Sequence, residues 1–250
     1  MTYFRRVLDA VAQVPGVQRA GIIDYRPFES EDDFKGMRFP ERPIPPRGQG
    51  IREEWRRVTD GYFETAGMRV LRGRSFAGND FIGTPRSVIV NRAFAAKHYS
   101  GEDPIGRRLM LAEGGYTDLE VIGVVADVLE RGPMVQAPAM VYVPFQAAPC
   151  GNVALFVKTI GAPLGYSNVI REAIWSVDPR QPVMEMKLLE RVVSDAIATP
   201  TMIMRIVGSL AAVALALTAL GVFGVVAFAV RARTAELGTS NDARRHQRSP

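Results

Sequence analysis

The sequence predicts an α+β domain of about 200 residues followed by one transmembrane helix. Three observations carry this. Helical and strand-like segments are mixed without the regular alternation of a doubly wound sheet. Ile206–Val230 contains no ionisable side chain, and only Ser209 and Thr218 in it are polar. Arg205 and Arg231 bracket that run.

In the first 50 residues, Phe4, Val7, Leu8, Val11 and Ala12 recur at helical spacing until Pro15-Gly16. Val17–Tyr25 reads as a strand, and residues 26–50, rich in proline, glycine and charge, as a loop. Its acidic cluster Glu29, Glu31, Asp32 and Asp33 is balanced by nearby arginine and lysine and reads as solvated.

Ile51–Thr59 is expected to be a strand and Asp60–Ala66 a short helix stopped by Gly67. Ser87–Asn91 reads as a strand leading into helix Arg92–Tyr99. Strands follow at Arg107–Leu111, Leu119–Asp127, Ala139–Pro144 and Asn152–Thr159. Pro163–Val177 reads as a helix, Val183–Met186 as a strand, and Lys187–Ala198 as an amphipathic helix running into the apolar segment. The first helix–strand and the last strand–helix–strand are expected to share a sheet, with residues 51–145 forming an inserted β-rich lobe.

The apolar run exceeds the roughly 20 residues that span a bilayer. Gly208, Ala212, Ala216 and Gly224 share a stripe, interrupted by Leu220, against which another helix can pack. Arg191 and Arg205 precede the run, whereas Arg231, Arg233, Arg244 and Arg245 follow it, so the C-terminus is expected in the cytoplasm and residues 1–200 outside. Exporting such a domain needs an upstream membrane helix, and MTYFRRVLDA is not one. The alternative is the reversed topology; the upstream helix is the preferred reading.

After Val230 five arginines stand against Glu236 and Asp242, a surplus of three, so the preceding chain holds only +2 of the net +5. The basic surplus therefore flanks the membrane segment, which argues against a nucleic-acid partner. Cys150 is the single cysteine, so no intramolecular disulfide or cysteine-based zinc site can form. No Walker A sequence, no G-x-S-x-G elbow and no H-E-x-x-H is present. His98 and His246 are expected on opposite sides of the membrane, with His98 at a surface or boundary. Glu53-Glu54 between arginines reads as a solvated strand face, and Trp55 and Trp175 as core aromatics. Lys187 and Arg205 are placed to reach lipid headgroups. No catalytic, cofactor-binding or metal residue is assigned.

YFETAGMRVLRGRSF (Tyr62–Phe76), VIVNRAFAAKHYSGEDPIGRRL (Val88–Leu109), LEVIGVVADV (Leu119–Val128), VDPRQPV (Val177–Val183) and LGVFGVVAFAVRARTAELG (Leu220–Gly238) occur in series. Together they resemble the MacB-like periplasmic core domain of FtsX-type ABC transporter permeases, over roughly residues 1–238. The resemblance implies a porter-like subdomain with an inserted lobe, placed periplasmically on the bacterial inner membrane. It implies a permease without its own catalysis, whose partners are a separate ABC ATPase and other permease membrane helices. It makes RARTAELG the start of the coupling segment, with Arg231, Arg233, Thr234, Glu236, Leu237 and Gly238 as ATPase-coupling residues.

The family has a membrane helix before the domain and two more after the coupling segment, and TSNDARRHQRSP departs from its pattern. The chain is therefore expected to be a partial permease, half of a duplicated type, inactive alone. The competing reading is a membrane-anchored extracytoplasmic binding or scaffold domain.

Overall fold

The computed structural model describes residues 2–24, 33–46, 49–81, 87–112, 116–128, 136–145, 153–195 and 207–223. Helix α1 (Thr2–Ala12) places Val7 and Val11 on one face. Its chain turns at Gly16 (φ +91°) into β1 (Val17–Asp24). β1 pairs antiparallel along its whole length with β9 (Val153–Thr159), the register running from Val17↔Thr159 to Asp24↔Val153. Helix α4 (Ser167–Val177) returns over the same face. Val7, Val11, Ile170 and Ile174 form one apolar cluster there, with Val17, Ala20, Leu155 and Val157 beneath.

The remaining strands close on themselves. β2 (Phe34–Arg38) pairs with both β3 (Ile51–Val58) and β6 (Arg108–Ala112). β6 continues to β7 (Tyr116–Val125), β7 to β5 (Ser87–Asn91), β5 to β8 (Met140–Pro144), and β8 back to β3. This ring is a six-stranded barrel within the nine-stranded sheet, and closure removes the exposed edges that open sheets carry. Alternate residues fill it: Met37, Trp55, Val88, Val90, Leu109, Leu111, Leu119, Val121, Val141 and Val143 belong to one buried cluster.

The opposite faces of β5 and β8 present Ile89, Met140 and Tyr142. These pack against Tyr62 and Phe63 of helix α2 (Tyr62–Thr65). β4 (Val70–Gly73) adds to β7 outside the ring, and helix α3 (Arg92–Tyr99) follows β5.

The two parts meet where β1 touches β3 through the single pair Ile23↔Val58. Thr59 extends that contact: its N–H donates to Ile22 O at 2.9 Å, and its Oγ1 accepts from Ile22 N at 2.8 Å.

Several expectations change. Residues 34–38 were expected within a loop but form β2, so the β-rich part includes a strand upstream of residue 51. Val183–Met186 pairs with no strand among the described residues; Val183 and Met186 pack against the α1–α4 cluster instead. Trp175 is 41% exposed, its Nε1 donating to Gln181 O at 3.1 Å, rather than buried.

The chain divides into two units, Met1–Ala196 and Ile197–Pro250. In the second, residues 207–223 are helical with exposed side chains. Among the described residues no helix is long and apolar enough to cross a membrane. Residues 206 and 224–230 of the expected span lie outside the described residues.

Candidate functional site

Strand alternation splits the charged sequence of β3. Trp55 points into the barrel with 1% exposure, and Glu53 and Arg57 share its side while Glu54 and Arg56 take the other. The glutamates expected to be solvated are both buried, at 5% and 2% exposure, and Arg56 is buried beside them. Buried charge is costly unless it is paired and hydrogen-bonded. Arg56 lies 3.6 Å from Glu54 and donates to Trp55 O at 2.9 Å. On the other side, the Arg57 guanidinium stacks on the Trp55 ring at 4.6 Å.

Glu53 is answered from helix α3. Asn91 caps that helix: its Oδ1 accepts from Phe94 N at 2.9 Å and from Met140 N at 3.0 Å, while its Nδ2 donates to Pro138 O at 2.7 Å. The fixed helix start sends Phe94 and His98, four residues apart, down one face. His98 is buried rather than at the surface, with ring centroids 4.6 Å from Phe94 and 5.2 Å from Phe39. Its Nε2 lies 2.7 Å from Glu53 Oε1, and Lys97 Nζ reaches the same oxygen at 2.7 Å. Burial holds the imidazole below its ordinary pKa despite the carboxylate, and Lys97 and Arg42 push the same way. His98 is therefore a neutral donor through Nε2, tying α3 to β3.

Beside this pair, at one mouth of the barrel, lies a cavity of about 260 Å³. Phe39, His98 and Tyr99 supply aromatic walls, with Glu41, Arg42 and Arg107 among its charged groups. Burial pushes the Tyr99 hydroxyl up to about 12, so it stays protonated.

A second buried acid sits where β1 meets β3. Asp24 is 1% exposed and accepts from Arg57 N at 2.7 Å, with the Arg57 guanidinium at 4.0 Å. Burial raises its pKa to about 6 in spite of Arg57 and Arg56, and Asp33 adds to the rise.

The expected coupling residues Arg231, Arg233, Thr234, Glu236, Leu237 and Gly238 lie outside the described residues, as do Cys150, His246, Arg205, Glu29, Glu31 and Asp32. Asp33 lies 3.7 Å from Lys35. Among the described residues no group of three or more His, Cys, Asp or Glu is placed to hold a metal ion. Glu53 and Asp24 were missed in the sequence because their partners, His98 and Arg57, are distant along the chain.

Residues 7–169 match the model of the MacB-like periplasmic core domain. An uncharacterized ABC transporter permease of Bacillus subtilis, YknZ, is 25% identical over 192 residues, covering 72% of this chain. The chain spans about half the length of that curated relative, 46% of it. Among solved structures, the periplasmic region of MacB from Actinobacillus actinomycetemcomitans is similar at TM-score 0.50 and 13% identity, covering 68% of this chain and 72% of that one. The extracellular domain of YknZ from Gram-positive bacteria gives TM-score 0.47 and 20% identity, covering 69% and 81%. With the family model matching well over half of its residues, the chain belongs to the MacB-like periplasmic core domain family.

Proposed function

We propose that this chain carries the extracytoplasmic domain of a MacB/FtsX-type ABC transporter permease of the bacterial inner membrane. In this reading the domain is tethered by the apolar segment near residues 202–230, and its C-terminal stretch is cytoplasmic. A separate ATPase hydrolyses ATP and drives export through the domain by mechanical coupling. The observation that carries the reading is the family match over residues 7–169 upstream of a long uncharged apolar run.

One apolar helix cannot enclose a polar path through lipid, so the pathway requires further membrane helices. In the proposed arrangement Arg231, Arg233 and Glu236 make the polar contacts to the ATPase, and Thr234, Leu237 and Gly238 complete the contact segment.

The test is co-purification from membranes of the tagged chain with an ABC ATPase encoded beside it, followed by reconstitution in proteoliposomes with the remaining permease helices. ATP-dependent export that requires all components, and that falls when Glu236→Ala and Arg233→Ala are combined, is the expected result. Export by the chain without an ATPase, or an ATPase that never associates with it, would overturn the reading.

A further inference from the structure

We infer that Pro43–Pro46, in the connection between β2 and β3, is a docking segment for a partner protein with an aromatic-lined groove that takes polyproline II peptides. The sequence Arg42-Pro43-Ile44-Pro45-Pro46 leaves its backbone little choice. Pro43, Pro45 and Pro46 each fix φ at about −65°. Arg42, Ile44 and Pro45 each precede a proline, which disfavours the helical region and leaves β or polyproline II. Accordingly, Pro43–Pro46 joins no helix, strand or turn. Four residues at about 3.1 Å each make about 12 Å of a helix with three residues per turn.

The base of this segment is fixed on the barrel. Phe39 is buried in the barrel cluster, and Arg42 N–H donates to Phe39 O at 2.9 Å. The Arg42 guanidinium stacks on the Phe39 ring at 4.2 Å and donates to the His98 carbonyl. With three residues per turn, Pro43 and Pro46 share one edge, while Ile44 and Pro45 stand on the other two. Pro43, Ile44 and Pro46 are exposed and Pro45 is half-buried, so one edge faces the domain and two face outward. Ile44 is 72% exposed, more than any other large apolar residue described in Met1–Ala196. Stiffening the connection requires only the prolines; Ile44 between them adds apolar surface on an outward edge.

Three of the four residues lack an N–H, so a partner cannot extend a sheet along the segment. Among the described residues no hydrogen bond reaches the Ile44 N–H or the carbonyls of Pro43, Ile44 and Pro45. The segment therefore offers proline ring faces, one branched aliphatic side chain and open acceptors. Aromatic side chains meet all three: their faces cover the rings and the aliphatic group, and a Trp N–H or Tyr O–H donates to the carbonyls. Because the backbone is constrained before binding, docking costs little conformational entropy.

The experiment uses the purified full chain in detergent and, as groove probes, isotope-labelled SH3 and WW domains observed by NMR, with detergent-only controls. Expected are saturable shifts confined to the aromatic groove of at least one probe. Pro43→Ala combined with Pro46→Ala is expected to lose about tenfold or more in affinity. Ile44→Ser, which leaves every proline in place, is expected to lose about threefold or more. Pro45→Ala, on the inward edge, and Leu164→Ser, at an exposed apolar site elsewhere, are expected to stay close to the unaltered chain. Melting temperatures near that of the unaltered chain verify that the variants fold. No saturable binding by any probe overturns the inference. So does undiminished affinity in the double variant or in Ile44→Ser, or an equal loss in Leu164→Ser. None of these outcomes bears on export, so this inference and the proposed function fail separately.

Discussion

His98 Nε2 and Glu53 Oε1, 45 residues apart in sequence, meet at 2.7 Å beneath the rings of Phe39 and Phe94. The contact joins α3 to the barrel and sets a pH dependence. The folded imidazole titrates below the unfolded value of 6.5 because burial disfavours its charge. Its contribution to stability is thus fully present above 6.5 and is lost as pH falls from there toward the folded value. Between about pH 7.5 and 5.5, His98→Gln is expected to lose less stability than the wild type, measured as the shift in urea midpoint. At pH 7.5 the variant is expected to be destabilised by roughly 0.5–3 kcal/mol, because glutamine keeps an N–H for Glu53 but loses the ring packed against Phe39 and Phe94. Parallel pH profiles for the two proteins would refute the account.

Asp24 has the opposite sign. Its folded pKa of about 6 lies above the unfolded 3.8, so the native state holds the proton more tightly. Above about 6 the folded carboxyl is ionised and its burial costs stability in full, and stability is regained as pH falls from there to 3.8. Asparagine keeps an oxygen for Arg57 N–H and removes the buried charge. Asp24→Asn is expected to match or exceed wild-type stability at about pH 7.5, by up to roughly 2 kcal/mol, and to lose that advantage by about pH 4.5. Urea titrations at both pH values decide it, and a variant clearly weaker at pH 7.5 would show that the Arg57 ion pair outweighs desolvation.

Gly21 lets α2 sit on β1. A Cβ there would lie 2.6 Å from Tyr62 Cα and 2.9 Å from Tyr62 N, which are backbone atoms that cannot rotate away. Gly21→Ala is therefore expected to destabilise by about 2 kcal/mol or more through overpacking. Gly50→Ala, with open space around its Cβ, serves as the control. Thermal melts of the two variants make the comparison, and equal melting temperatures would contradict the packing described here.

Much of this architecture is legible in the sequence, and the failures have physical causes. SVIVN and MVYVP are buried runs whose apolar residues pack on both faces, so they read as strands without knowledge of a partner. FKGMR was not legible because Met37 alone among its residues is buried, and its strand character comes from β3 and β6. Val183–Met186 shows the converse, since pattern without a neighbouring ladder makes no strand. Charge was read from neighbours in sequence, which fits Asp33 and Lys35 at 3.7 Å but fails for Glu53, whose partners come from α3. Barrel closure and the cavity both depend on the β2–β6 and α3–β3 contacts, which local pattern does not encode.

Residues 207–223 carry the last expectation. Every side chain along this helix is exposed, including Leu215 at 72%, Leu217 at 64% and Phe223 at 73%. Exposing so much apolar surface to water is unfavourable by about 25 cal/mol for each Å², whereas hydrocarbon removes that penalty. At about 1.5 Å per residue, the described helix rises roughly 26 Å, slightly short of a 30 Å hydrocarbon core, and the full uncharged run from Ile206 to Val230 would exceed it. Thr218 donates its hydroxyl to Ala214 O at 2.8 Å, so its polar group is satisfied within the helix. The full chain is expected in the membrane fraction, resistant to carbonate extraction, and deletion of Ile206–Val230 is expected to release residues 1–200 into the soluble fraction. Leu215→Arg, near the middle of the run, should weaken insertion by roughly 2.5–3.5 kcal/mol, whereas Leu215→Ala should leave it largely intact. A full chain that remains soluble without detergent, or an arginine variant that fractionates like the alanine one, would show that this helix is covered by protein instead of lipid.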